Sequence, residues 1–222
     1  VTGHGTHGAF PHEGIDPVII AAQLLTAWQS IISRNVNALE SVVISPASIN
    51  AGDSWNVIPQ TAVIRGSVRT LSSEMRQLVH DRFHTLTRNI VEAFGAKVEI
   101  NYRLCSPVTV NDVTQTTLAC DVAASIFGED HILRSAPPDM GSEDFAYMLQ
   151  ERPGCYLILG GANPSEDQGS RKRKSTDATP DLQHFVIKNV CLLHDPNYDF
   201  NDDILPLGAT LFARLVEYFL SR

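Results

Sequence analysis

Between residues 13 and 103 the spacing of apolar residues switches repeatedly between two periods, and that alternation constrains the fold more than any other feature. Residues 13–34, "EGIDPVIIAAQLLTAWQSIISR", carry apolar side chains at three- and four-residue intervals up to Ile32. Asp16 stands where an N-cap belongs and Pro17 fits the first turn, where a missing N–H costs nothing, so this stretch predicts a helix. Residues 40–50 predict a strand interrupted by Pro46, and 51–60 a turn. Residues 61–70, "TAVIRGSVRT", alternate as a strand with one buried face. Residues 72–94 predict a second amphipathic helix, capped by Ser72 or Ser73 and stopped by Gly95. Another alternating strand, 96–104, follows. With the first few residues as a leading strand the order is βαββαβ, an antiparallel sheet with both helices on one face.

The second half has a different rhythm. Residues 114–128 predict a helix, 142–152 a short helix opened by Ser142, and 205–222 a closing amphipathic helix. Residues 155–162, "CYLILGGA", are apolar throughout, as a strand covered on both faces would be. One such strand and a few helices do not complete an α/β domain. The expected class is α/β: a ferredoxin-like α+β domain at 1–107 and the C-terminal part of an α/β domain at 108–222.

Charge and composition narrow the functional classes. Against 17 Lys and Arg stand 25 Asp and Glu, a net charge of -8, which disfavours nucleic acid as a partner. The one basic run, Arg171–Lys174, sits in a polar insertion at about 163–183 without apolar periodicity, and reads as a solvated loop. No apolar run approaches the ~20 residues that a membrane span needs, so no membrane partner is expected. Cys105, Cys120, Cys155 and Cys191 are widely spaced. They read as buried free thiols, which favours a reducing, cytoplasmic setting.

Three histidines crowd the first twelve residues, at His4, His7 and His12. In an extended strand residues three apart face opposite sides, so His4 and His7 do not converge on one ion. The loop "HDPNYDFNDDILPLGA" offers a better metal ligand, His194, with Asp195, Asp199, Asp202 and Asp203 nearby. Equally, Asp202 or Asp203 could simply cap the last helix. Glu143 and Asp144 stand at a helix N-terminus, where the macrodipole alone accounts for negative charge. Asn56, before an apolar-Pro turn, can donate to a carbonyl oxygen or merely form an Asx turn.

Taken in order, "GHGTHGAFPHEGIDPV", "AGDSWNVIPQTAVIRGSVRT", "MGSEDFAYMLQERPGCYLILG" and "LLHDPNYDFNDDILPLGA" closely resemble the M20 family of metallopeptidases. The likeness is best to the amidohydrolase branch, which includes hippurate, N-acyl-amino-acid and auxin-conjugate hydrolases, and it lapses only at the 163–183 insertion. The resemblance implies a lid and dimerisation domain at 1–107 and the C-terminal part of the catalytic domain at 108–222. It implies metal-dependent hydrolysis of an amide bond in an N-acyl amino acid or peptide, with one or two Zn or Mn ions. It implies His7 as a catalytic donor to the oxyanion in a partner subunit's site, and Asn56 as a second group on the carbonyl oxygen. Arg69 is implied as the grip on a substrate carboxylate, His194 as a metal ligand, and Glu143 as a residue near the site without a settled role. The family's other metal ligands and its general base match no part of the sequence. The chain is therefore expected to be N-terminally truncated and inactive alone. The alternatives are a non-catalytic dimerisation fragment, or an exopeptidase of the same family. A homodimer through the lid is expected, with Trp28, Ile31 and Ile32 as apolar residues that could face a partner.

Overall fold

The computed structural model describes residues 1–161, 196, 198 and 201–221. His194, Cys191, Asp195, Asp199 and the 163–183 insertion lie outside the described residues. The chain divides into two compact units, one of residues 1–110 and 135–153, the other of 111–134 and 154–222.

The first unit is built on two helices and a hairpin. Helix α1 spans Pro17–Asn35, and the Asp16 side chain accepts from the backbone N–H groups of Val18 and Ile19. Helix α2 spans Ser73–Ala93, capped by Ser72, whose hydroxyl accepts from Met75 N at 3.1 Å. Gly95 beyond its end has φ +74°, a left-handed conformation that a side chain would strain. Strands β2 (Val42–Ala51) and β4 (Ala62–Thr70) pair antiparallel, from Val42 opposite Thr70 to Ala51 opposite Ala62. Pro46 does not interrupt β2 as expected; the register shifts between Pro46 and Ser48 and the strand continues. A bulge absorbs a residue that cannot donate to the ladder. Opposite it stands Gly66, where a Cβ would collide with the Ser45 carbonyl.

The N-terminal segment lies beside this hairpin. Thr2 bridges both Thr61 and Lys97, with Thr2 N donating to Lys97 O at 2.7 Å and Lys97 N returning to Thr2 O at 2.9 Å. The spatial order is thus 97, 2, β4, β2, with both helices contributing to one core. Ile20, Leu24, Trp28 and Ile31 of α1 meet Val42 and Ile44 of β2 and Met75, Val79 and Val91 of α2. The expected strand at 96–104 is reduced to that single bridge. Beyond it the segment turns to α2, where Tyr102 packs on Phe83, His80 and His84 and the Cys105 carbonyl accepts from Arg76. The apolar stripe of α1 also departs from expectation. Trp28 and Ile31 are buried in the unit's own core; Trp28 stacks on Phe83 at 4.7 Å and donates to Thr87 Oγ1 at 2.8 Å. Ile32 is partly buried against the same core.

In the second unit, α3 (Val113–Phe127) is capped by Asp112, which accepts from Gln115 N at 2.9 Å. It packs against α5 (Leu205–Leu220), and its own buried residues are Ala119, Cys120, Val122 and Ala123. Neither Asp202 nor Asp203 caps α5. A short 3-10 turn, Asp202–Ile204, precedes it and is itself capped by Asn201. Residues 155–161 form no strand, and Ile158 is 81% exposed. A strand needs a ladder partner, and among the described residues of this unit there is none. The Asn111 side chain substitutes at one point, accepting from Tyr156 N at 2.7 Å and donating to Tyr156 O at 3.0 Å. Cys120 is buried, but Cys105 is exposed, contrary to the expectation for all the thiols. No helix among the described residues is long and apolar enough to cross a membrane.

Candidate active-site residues

The two implied oxyanion donors sit on one small ribbon. Strand β1 (Thr6–His7) pairs antiparallel with β3 (Val57–Ile58), His7 opposite Val57. Gly8 N donates to Asn56 O at 2.8 Å, so the residue after His7 is bonded to Asn56 itself. A Cβ at Gly8 would stand 2.9 Å from that carbonyl, so any other residue would push the two apart. The ribbon is braced by Gln60, whose amide accepts from Gly5 N at 3.0 Å and donates to Gly3 O at 2.8 Å.

Both side chains are oriented by local hydrogen bonds. His7 Nδ1 accepts from Ala9 N at 3.1 Å. In the neutral ring one nitrogen accepts and the other donates, so the proton is placed on Nε2. Asn56 Oδ1 accepts from Ser54 Oγ at 2.8 Å, which leaves the Nδ2 hydrogens as the free capacity of that amide. His7 is exposed and Asn56 half-buried. Sequence reasoning named His7 and Asn56 as candidates but did not name Ser54, Ala9 or Gln60, which hydrogen-bond them or their ribbon. Of these only Ser54, two residues before an Asn, carried a readable local signal.

Arg69 and Glu143 lie elsewhere. Arg69 is opposite Val43 on β4, seven residues from the Ala62 end, or about 23 Å along an extended strand. Its guanidinium is half-buried and donates to the Met140 carbonyl at 3.2 Å. One copy of the chain therefore does not bring Arg69 to the His7–Asn56 ribbon. Glu143 precedes α4 (Phe145–Glu151), and its Oε1 accepts from Phe145 N at 3.4 Å. That helix opens at Asp144, two residues later than expected from Ser142. Of the other amino-terminal histidines, His4 bridges Ile15, and His12 meets Glu13 at 4.0 Å. Among the described residues no group of three or more His, Cys, Asp or Glu could hold a metal ion. Among the described residues a catalytic ion therefore lacks the three protein ligands it needs.

Residues 1–94 match the peptidase dimerisation domain of M20 peptidases. The chain belongs to the M20 family. It is 32% identical to hippurate hydrolase of Campylobacter jejuni over 220 residues, covering 99% of this chain and 51% of that protein. It is 42% identical to N-acetyl-L-cysteine deacetylase of Bacillus subtilis over 160 residues, 72% of this chain and 38% of the relative. A solved Bacillus subtilis structure, described as a dinuclear metal binding peptidase from the M20 family, superposes with a TM-score of 0.60 at 26% identity. That match covers 93% of this chain and 46% of the other. The M20 chain described here thus spans about half the length of its relatives or less.

Proposed function

We propose that this M20 chain supplies the lid, at residues 1–107, and part of the catalytic half, at 108–222, of an amide-bond hydrolase acting on N-acyl amino acids or peptides. His7 and Asn56 act together on the scissile carbonyl oxygen. The observation that supports this is the orientation of both side chains. Ala9 N–H donates to His7 Nδ1 and Ser54 Oγ to Asn56 Oδ1, so each side chain keeps its own N–H as a donor. Two fixed donors bind an oxygen more strongly as negative charge develops on it, and so lower the barrier rather than merely binding substrate. Arg69 grips a substrate carboxylate through its bidentate fork. Its distance from the ribbon fits a site shared between two copies, with His7 and Asn56 of one serving the partner. The lid is accordingly the homodimer contact.

A bound Zn or Mn ion would polarise the carbonyl and acidify water. His194 is the ligand proposed from this chain, and the remaining ligands lie outside the described residues. On this reading the 222-residue chain alone turns over no N-acyl amino acid.

In the complete enzyme, His7→Ala should lower kcat by about 10²–10³, the usual loss for one oxyanion donor, and leave metal content unchanged. His194→Ala should lower metal content. Mixing the two variants should restore part of the activity, because one site of a mixed dimer has both residues. Equal metal loss in both variants, or a fully active monomer, would overturn the assignment.

A further inference from the structure

The first unit carries a second group of imidazoles that the hydrolytic reading does not use. The sequence "HDRFH" on α2 places His80 and His84 one turn apart, and their ring centroids are 4.5 Å from each other. Residues four apart share one helix face. The His80 ring is tied at Nδ1 to Asp81 Oδ1 at 3.0 Å, and Gln77 holds the same carboxylate oxygen at 2.9 Å. A carboxylate behind Nδ1 fixes the tautomer with its proton there and leaves Nε2 as a basic lone pair, the usual support behind a metal-bound imidazole. His84 is walled in by Phe83 and Tyr102, and its Nδ1 is buried without a hydrogen-bond partner. The other nitrogen of that ring, Nε2, is not among the buried atoms left without a partner.

We infer that His80 and His84 form a two-imidazole chelate for a transition-metal dication, with Asp81 as the group that orients His80. Nitrogens bound at about 2.0–2.1 Å from one ion are compatible with the observed ring separation. Imidazole ligands select Cu²⁺, Ni²⁺ or Zn²⁺ over Mg²⁺, with Cu²⁺ the tightest of the series. Two protein ligands leave positions for water. The site pins successive turns of α2.

The test is calorimetric titration of the metal-free 222-residue chain with Cu²⁺, Zn²⁺ and Mg²⁺, with Cu²⁺ paramagnetic resonance to count bound nitrogens. One equivalent should be lost in His80→Ala and in His84→Phe, and each should lose one nitrogen from the spectrum. Phe keeps the aromatic packing at position 84, and the metal-free variants are compared by circular dichroism to show that they are folded. Asp81→Asn should weaken that equivalent by about tenfold or more, while Mg²⁺ should not bind. Isotherms and nitrogen counts unchanged in both histidine variants would overturn the proposal. So would a loss confined to variants at His4, His7 or His12.

Discussion

The two units differ in how completely their apolar faces are closed. In the first, α1, α2 and β2 bury one another, and Ile31, Val79 and Val91 have no exposed surface. In the second, α5 is amphipathic and yet none of its residues is buried. Phe212 is 72% exposed, and the apolar run at 155–161 stands half open. The difference teaches that helix formation and helix burial are separate events. Propensity places both α3 and α5, with a side-chain cap on α3 alone, but a core requires facing surfaces. Stability in this chain should therefore reside mainly in the first unit.

The sharpest way to break that comparison is to remove equivalent volumes from both. Leu24→Ala leaves a cavity in a closed core and should cost about 2–5 kcal/mol. Phe212→Ala removes a larger side chain that is already mostly hydrated, and should change stability by about 0.5 kcal/mol or less. Both tryptophans, Trp28 and Trp55, belong to the first unit, and only Trp28 is buried. Urea unfolding followed by fluorescence thus reports that unit, while circular dichroism reports both. A loss for Phe212→Ala as large as for Leu24→Ala would mean that α5 has a packed core after all.

A smaller effect distinguishes a local rule from a tertiary one. Asp16 accepts two N–H groups at the start of α1, whereas Asp144 stands at the N-cap of α4 with no side-chain cap bond. Asp16→Ala should cost about 1 kcal/mol, and Asp144→Ala only the few tenths expected from charge at a helix N-terminus. Equal losses in urea would show that an acidic residue near a helix start acts through the dipole alone.

These residues also show what could be read in advance. Asp16, Ser72 and Gly95 were legible because a cap is a contract between neighbours within three or four positions. The burial of Trp28 was not, because it depends on Thr87 and Phe83, about sixty residues away. The strand expected at 155–162 failed for a related reason: apolar composition names a candidate, but pairing makes the strand. At the candidate site, the residue types of His7 and Asn56 were legible from the family resemblance. The hydrogen bonds that orient them were not, since those come from a backbone N–H and a serine hydroxyl. Arg69 shows the opposite case, because motif order along the chain carried no information about its distance from Asn56.

The smallest expected effect separates the two units along the pH axis. Burial holds the His84 imidazole below its ordinary value, helped by the charges of His80 and Arg88 and opposed by Asp81. The folded state therefore binds less proton here than the unfolded chain, whose histidines titrate near about 6.5. The corresponding stability is present above that value and is lost as pH falls through the lower folded one. In the second unit the relevant group is Glu129, held below the usual carboxylate range by hydrogen bonds from Arg134, which also meets Asp121 at 2.8 Å. Its contribution is present above the unfolded carboxylate value and lost only in more acidic solution. Between pH 7.5 and 5.5, in a chelator, the urea midpoint read by Trp28 should therefore decline in the wild-type chain and decline less in His84→Phe. Arg134→Met should leave that interval unchanged and alter only the loss of circular dichroism below about pH 4.5, the unfolded range of such carboxylates. Identical slopes for wild type and His84→Phe would assign the mild-acid loss to other groups, and the pH axis would then cease to distinguish the closed unit from the open one.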